Sequence, residues 1–198
     1  MPKHPTLILA PLLVMTACGS RDENPQAPPT TAADEQAAST STVATDASGA
    51  ARGAAMPFTG QAFADAIAAS DRFELESARA VQSANPAGTT RSFAQMMIRD
   101  HQTSSDELRK TTSQVDKVRL DETPAMTAEQ QAQLAELKAA APQQMPAIYA
   151  RQQVAAHEKA LAMLQTYAQS GDAKPLMDFA GKTAQVVSHH LEEARRLP

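Results

Sequence analysis

From Thr59 onward, apolar residues recur at intervals of three and four, and that spacing makes helix the regular element this chain can build. Strand-forming residues are scarce: aromatics make up 4% and there is no Trp, although 42% of residues are apolar. Turn signals cut the pattern into pieces. The first long helix is predicted from about Thr59 to Ala84, ended by Asn85-Pro86, and the second from about Gly88 to Val118. A loop holding Pro124 follows, then Thr127-Ala-Glu-Gln130, a capping-box pattern that opens a short helix to about Ala140. The third long helix starts between Pro142 and Pro146 and stops at Ser170-Gly171; the fourth runs from Asp172 to about Arg196. Short links within the first and last pairs favour antiparallel neighbours. The expected fold is all-α, an antiparallel four-helix bundle with a short extra helix in its long middle connection.

Residues 1–18 have a different character. Lys3 precedes the apolar run Leu7 to Met15, which has the length of a signal peptide and falls short of the ~20 residues that span a bilayer. The run ends in Met15-Thr16-Ala17-Cys18, which resembles a lipobox, with Met15 standing where leucine is usual. Cys18 is the only cysteine in 198 residues. An incidental cysteine after an ordinary signal would leave an exported chain with one unpaired thiol, whereas acylation removes the thiol. Several acyl chains at roughly 0.8 kcal/mol per buried CH₂ make such an anchor permanent. The expected partner of this end is therefore a membrane, reached through lipid at Cys18. Gly19 stands where an inner-membrane retention signal would place Asp, so resemblance to the sorting rule favours the inner leaflet of a bacterial outer membrane, facing the periplasm.

Residues 19–58 are rich in Ala, Thr, Ser, Pro and Gly and cannot bury enough surface to fold. They are expected to form a tether of roughly 35 Å typical reach. Residues 59–198 suit a single domain. Net charge is −4 with 18 Lys plus Arg, so no basic patch tracks phosphates and no nucleic-acid partner is expected. No Ser-His-Asp order, Gly-rich phosphate loop or Cys-His pair identifies an enzyme.

Residues 3, 4, 7 or 11 apart share a helix face. That test places one polar residue on the apolar stripe of each long helix: Glu74 with Phe63, Ile67, Ala78 and Val81; His101 with Ala94, Met97, Leu108 and Val115; His157 with Ala150, Leu161, Leu164 and Ala168; and His190 with Leu176, Phe179, Thr183 and Val186. One reading is a metal site holding a single transition-metal ion, since bundles hold Zn, Fe or Cu with imidazole and carboxylate from facing helices. The other is a buried polar network in which the imidazoles bond hydroxyls such as Ser70, Ser104 or Thr183. Convergence of the nitrogens and carboxylate within roughly 5 Å would favour metal; separate pairing with hydroxyls would favour the network. No Glu-x-x-His motif occurs, which argues against a di-iron ferroxidase. Counted from the last turn, His190 sits more than a helical turn deeper than His157 at ~1.5 Å per residue, so the four need not all meet. Asp100 and Tyr149 are candidates to support the site from behind. Met96, Met97, Met163 and Met177 could offer thioethers to Cu(I), against the plainer reading of gap-filling core.

The stretch Phe63 to Glu76, the run Phe93 to His101 with Leu108, Tyr149 with Val154-Ala-Ala-His157, and Phe179-Ala with His190-Leu191 together resemble the bacterial envelope family called domain of unknown function 4142. The resemblance covers the folded part and implies a ferritin-like helical bundle on exported or lipid-anchored proteins. It marks Glu74, Asp100-His101, Tyr149, His157 and His190-Leu191 as recurring positions. Met145-Pro146 departs from a Phe-Asp of that pattern, and Ala184-Gln185 from a Leu-Pro. The resemblance implies no activity. The expected role is a non-catalytic binding or structural bundle in the envelope, with a protein partner there; the alternative is a metal-binding bundle in storage, sensing or redox defence.

Overall fold

The computed structural model describes residues 58–198. The expected signal, Cys18 and the expected tether up to residue 57 lie outside the described residues. Every regular element described is a helix: α1 (Gly60–Ser83), α2 (Gly88–Thr112), α3 (Ala128–Ala139), α4 (Met145–Ser170) and α5 (Lys174–Ala194). No described helix is long and apolar enough to cross a membrane.

Local chemistry sets the helix ends. Thr59 caps α1, its hydroxyl accepting from the Ala62 N–H at 3.2 Å and satisfying one of the donors a helix start leaves free. Asn85 takes a left-handed backbone at φ 52, which Asn tolerates, and Pro86 cannot extend the helix, so the chain reverses into α2. The capping box at α3 forms as its sequence predicts: the Gln130 N–H donates to Thr127 Oγ1 at 3.2 Å, and the Thr127 N–H donates to Gln130 Oε1 at 2.9 Å. Pro146 and Pro175 occupy first turns, where a missing N–H costs nothing.

The second long helix is shorter than its periodicity predicts. It stops at Thr112, not near Val118. Lys117 adopts φ 67 and breaks the helical path, yet Val118 is buried and Val115 and Leu120 pack on the core. Apolar spacing that reads as helix therefore belongs to a strap laid over α1 and α2. Gln61 pins it by accepting from the Arg119 N–H at 2.8 Å and donating to the Arg119 carbonyl at 2.7 Å; farther on, Arg72 donates to the Pro124 carbonyl at 2.8 Å.

Helix α1 packs on α2, α3 and α4; α4 packs on α5, and α5 on α2, with α3 also against α4. The core divides into two apolar clusters. One includes Phe63, Ile67, Leu164, Tyr167 and Phe179; the other includes Val81, Phe93, Met97, Leu137 and Tyr149. Phe63 stacks on Tyr167 with centroids 3.9 Å apart, and Gly171 passes so close that a Cβ there would stand 2.6 Å from the Tyr167 ring. Met96 and Met97 belong to the second cluster and Met163 and Met177 to the first, the packing role expected of methionine. A polar layer lies between: Ile67, Leu164 and Val187 of the first cluster line its cavity, and Phe93 of the second meets His157 edge-on with centroids 6.4 Å apart.

Candidate metal centre

All four long helices contribute to this layer. Asp71 and Glu74, three apart on α1, both point inward, and their side chains are shut from solvent. Helix α2 supplies Asp100 and His101, α4 supplies Gln153 and His157 four apart, and α5 supplies His190. His101, His157 and His190 are 6%, 2% and 1% exposed, so each imidazole needs a partner inside the protein.

Each finds a single partner among the described residues. His101 Nδ1 lies 2.8 Å from Asp71 Oδ1, His157 Nδ1 lies 2.9 Å from the Gln153 carbonyl, and His190 Nε2 lies 3.0 Å from Asp100 Oδ2. A carbonyl or ionised carboxylate oxygen has no proton to give, so each of these ring nitrogens is the N–H donor. The tautomer is thereby set, and the lone pair of each neutral ring falls on the other nitrogen. Those others, His101 Nε2, His157 Nε2 and His190 Nδ1, are buried without a partner among the described residues.

The rings face one another. Centroids are 5.9 Å apart for His101 and His157, 5.5 Å for His101 and His190, and 5.4 Å for His157 and His190. One ligand nitrogen from each lies within 4.8 Å of the other two. The depth mismatch expected between His157 and His190 is smaller because α5 begins at Lys174, not Asp172, which shortens the count to His190 by two residues or ~3 Å.

Glu74 lines the same cavity but stands outside the three-nitrogen group, its Oε2 accepting from Gln153 Nε2 at 2.5 Å. The expected set of four thus resolves into three histidines with a neighbouring carboxyl. Asp100, a candidate support, lies behind His190 and accepts from its Nε2. Tyr149 packs on Phe93 at 5.9 Å, and its hydroxyl has no partner among the described residues, so it makes no bond into the polar layer. Separate pairing of imidazoles with hydroxyls is not what the layer contains: Ser104 Oγ is itself buried and unpartnered among the described residues. Asp71 was the missing member. It is four after Ile67 and three before Glu74, a spacing that marks the same stripe, and Ser105 adds a hydroxyl donor to its Oδ2 at 3.2 Å. Gln153, four before His157, went unmarked because an amide carries no charge to flag it. Val186, expected inward, is 45% exposed, and Val187 takes its place.

Burial and mutual repulsion set the charges. Burial pushes His157 down to about 3, with His101 and His190 adding to the effect. Burial likewise pushes His190 down to about 4, despite the Asp100 carboxylate. His101 differs: burial disfavours its charge, but the Asp71 carboxylate, aided by Glu74 and Asp100, raises it above the usual histidine range. Burial lifts Glu74 to about 7, against the pull of His101 and Gln153. At neutral pH, His157 and His190 are neutral rings with lone pairs free for a ligand.

The sequence model of the family described as domain of unknown function (DUF4142) matches residues 44–197. The chain belongs to this family. The match takes in all five helices and every residue of the polar layer, so the centre described above is a feature of a DUF4142 domain. No curated protein and no solved structure matches the chain.

Proposed function

We propose that this DUF4142 chain binds a single transition-metal ion through His101, His157 and His190, inside a ferritin-like antiparallel four-helix bundle carried on a lipid-anchored envelope protein. The observation that carries the reading is the convergence of one ring nitrogen from each of three imidazoles within 4.8 Å, each ring held from behind by a carboxylate or carbonyl. Metal-bound histidines characteristically give their second nitrogen to such an acceptor. Three buried ring nitrogens without a partner among the described residues are costly when empty, and a cation with imidazole preference, such as Zn, Cu, Fe or Ni, relieves that cost.

One competing occupant is favoured by a specific observation. The raised pKa of His101 allows a protonated ring to donate to a water, which then donates to His157 and His190. Elemental analysis of protein purified without added metal separates the two. The metal reading expects about one ion per chain, lost in His101→Ala and His157→Ala. Metal-free wild type that also fails to take up added ion, or unchanged content in both variants, rejects it.

The bundle is supported by the circuit of contacts from α1 to α2, α5, α4 and back. The anchor rests on the lipobox-like run ending at Cys18, and the outer-membrane address on Gly19. In a bacterial host, wild type should partition with membranes and incorporate a fatty-acid label, and Cys18→Ser should do neither. Storage, sensing or redox defence are the roles open to a lone buried ion at that address, with docking to another envelope protein as the non-catalytic alternative.

A further inference from the structure

The cavity that the three histidines share is small, about 30 Å³, and a water requires roughly 10–15 Å³ measured the same way. It has room for an ion and one more small group. The donor set leaves the same amount of space in coordination. Three ring nitrogens form the converging group, Glu74 stands outside it with one oxygen engaged by Gln153, and no methionine or cysteine among the described residues lines the cavity. Structural zinc sites use four protein donors, whereas sites that bind a substrate or water keep a position open.

Resting on the metal reading above, we propose that the bound ion keeps one exchangeable position and that this position admits only ligands of one or two heavy atoms, the size class of water, hydroxide, hydroperoxide and the diatomic gases. Ser104 Oγ, three residues on from His101 and unpartnered among the described residues, lines the cavity as a hydrogen-bonding group for such a ligand. On the same proposal, such a ligand has a route from outside. A groove of about 150 Å³ between α1, α3 and α4 shares Ser70, Ala156 and Ala160 with the histidine cavity, so these small side chains are the wall between the two. Molecules above the proposed size would be stopped at that wall.

Cobalt(II) tests both halves, because its visible bands report coordination. In Co(II)-loaded full-length protein, cyanide should shift the bands saturably, and imidazole, a five-membered ring, should leave them unmoved at a hundredfold higher concentration. Ala160→Leu, which thickens the wall, should keep its cobalt and lose at least tenfold in cyanide affinity or binding rate. Cobalt bands that ignore cyanide overturn the open position while leaving the metal centre standing. A shift with imidazole comparable to that with cyanide, or an Ala160→Leu variant that binds cyanide as wild type does, overturns the size limit and the route. Failure of wild type to bind cobalt at all overturns the metal reading and this inference with it.

Discussion

Asp71 Oδ1 and His101 Nδ1 lie 2.8 Å apart with both side chains closed to solvent, so the polar layer ties α1 to α2 through a buried carboxylate–imidazole hydrogen bond. The carboxylate fixes which nitrogen of His101 carries the proton and raises the basicity of the other. Asp71→Asn keeps the shape and an acceptor oxygen but removes the charge. Ion affinity is expected to fall ten- to hundredfold, the usual cost of losing such a support. Competition against a chromophoric chelator measures it; an affinity within twofold of wild type would show that Asp71 only fills space.

An ion that binds the native chain alone must also stabilise it. At a free concentration a hundred times Kd, the gain is about 2.7 kcal/mol. Thermal melts with and without added ion should show a raised Tm that a chelator reverses. The increment should vanish in His190→Ala, and its survival there would remove His190 from the ligand set.

Without metal, the same groups set the dependence of stability on pH. His157 and His190 titrate near 3 and 4 in the folded protein, against an ordinary 6.5. Between pH 6.5 and those values the unfolded chain takes up two protons that the native rings refuse, so stability falls as pH falls. Glu74, raised from 4.5 to about 7, has the opposite sign: its contribution is complete below 4.5 and is lost as pH rises through 7. His101, raised above 6.5, likewise stabilises the protonated side and loses its contribution as pH rises. Two protons against one leave a net fall on the order of 1 kcal/mol per pH unit from 6.5 down to 4.5, with a maximum near pH 6.5. Urea midpoints across that range test this, and His157→Gln should flatten the acid limb; an equally steep limb in the variant would assign it elsewhere.

Gly171 is required by packing, since its φ of −65 is open to any residue. A Cβ would stand 2.6 Å from the Tyr167 ring and 2.7 Å from the Tyr167 carbonyl oxygen, and the ring is already stacked on Phe63 and bonded through its hydroxyl to Asp172. Gly171→Ala should cost about 1–3 kcal/mol. Chemical denaturation gives the value, and a change under 0.5 kcal/mol would mean that the turn relaxes freely.

Much of this was legible in the residues because local signals agreed with the fold. Asn85-Pro86, the Thr127 capping box and the prolines of α4 and α5 act within a few residues of themselves, and the sequence displays them directly. The end of α2 was not legible. Val115 and Val118 keep a helical spacing of three after the helix has stopped, and only the tertiary bonds from Gln61 and Arg72 reveal a strap. At the site, helical phase alone found His101, His157, His190 and Glu74. It could not separate three converging rings from a fourth group nearby, because two residues of uncertainty at the start of α5 move His190 by about 3 Å. Asp71 carried the right spacing and was overshadowed by Glu74 beside it.

The bond from His190 to Asp100 joins residues 90 apart in the chain, and the layer it belongs to draws on every long helix. Such a centre has no half-built form. A nascent chain ending before α5 has at most two of the three rings, and a chain threaded unfolded through a membrane carries none of them in place. Any ion it comes to hold would be acquired after the last helix docks, from the supply of the compartment where folding finishes. The order of events is then fixed by topology: the helices assemble first, and loading of any ion comes after.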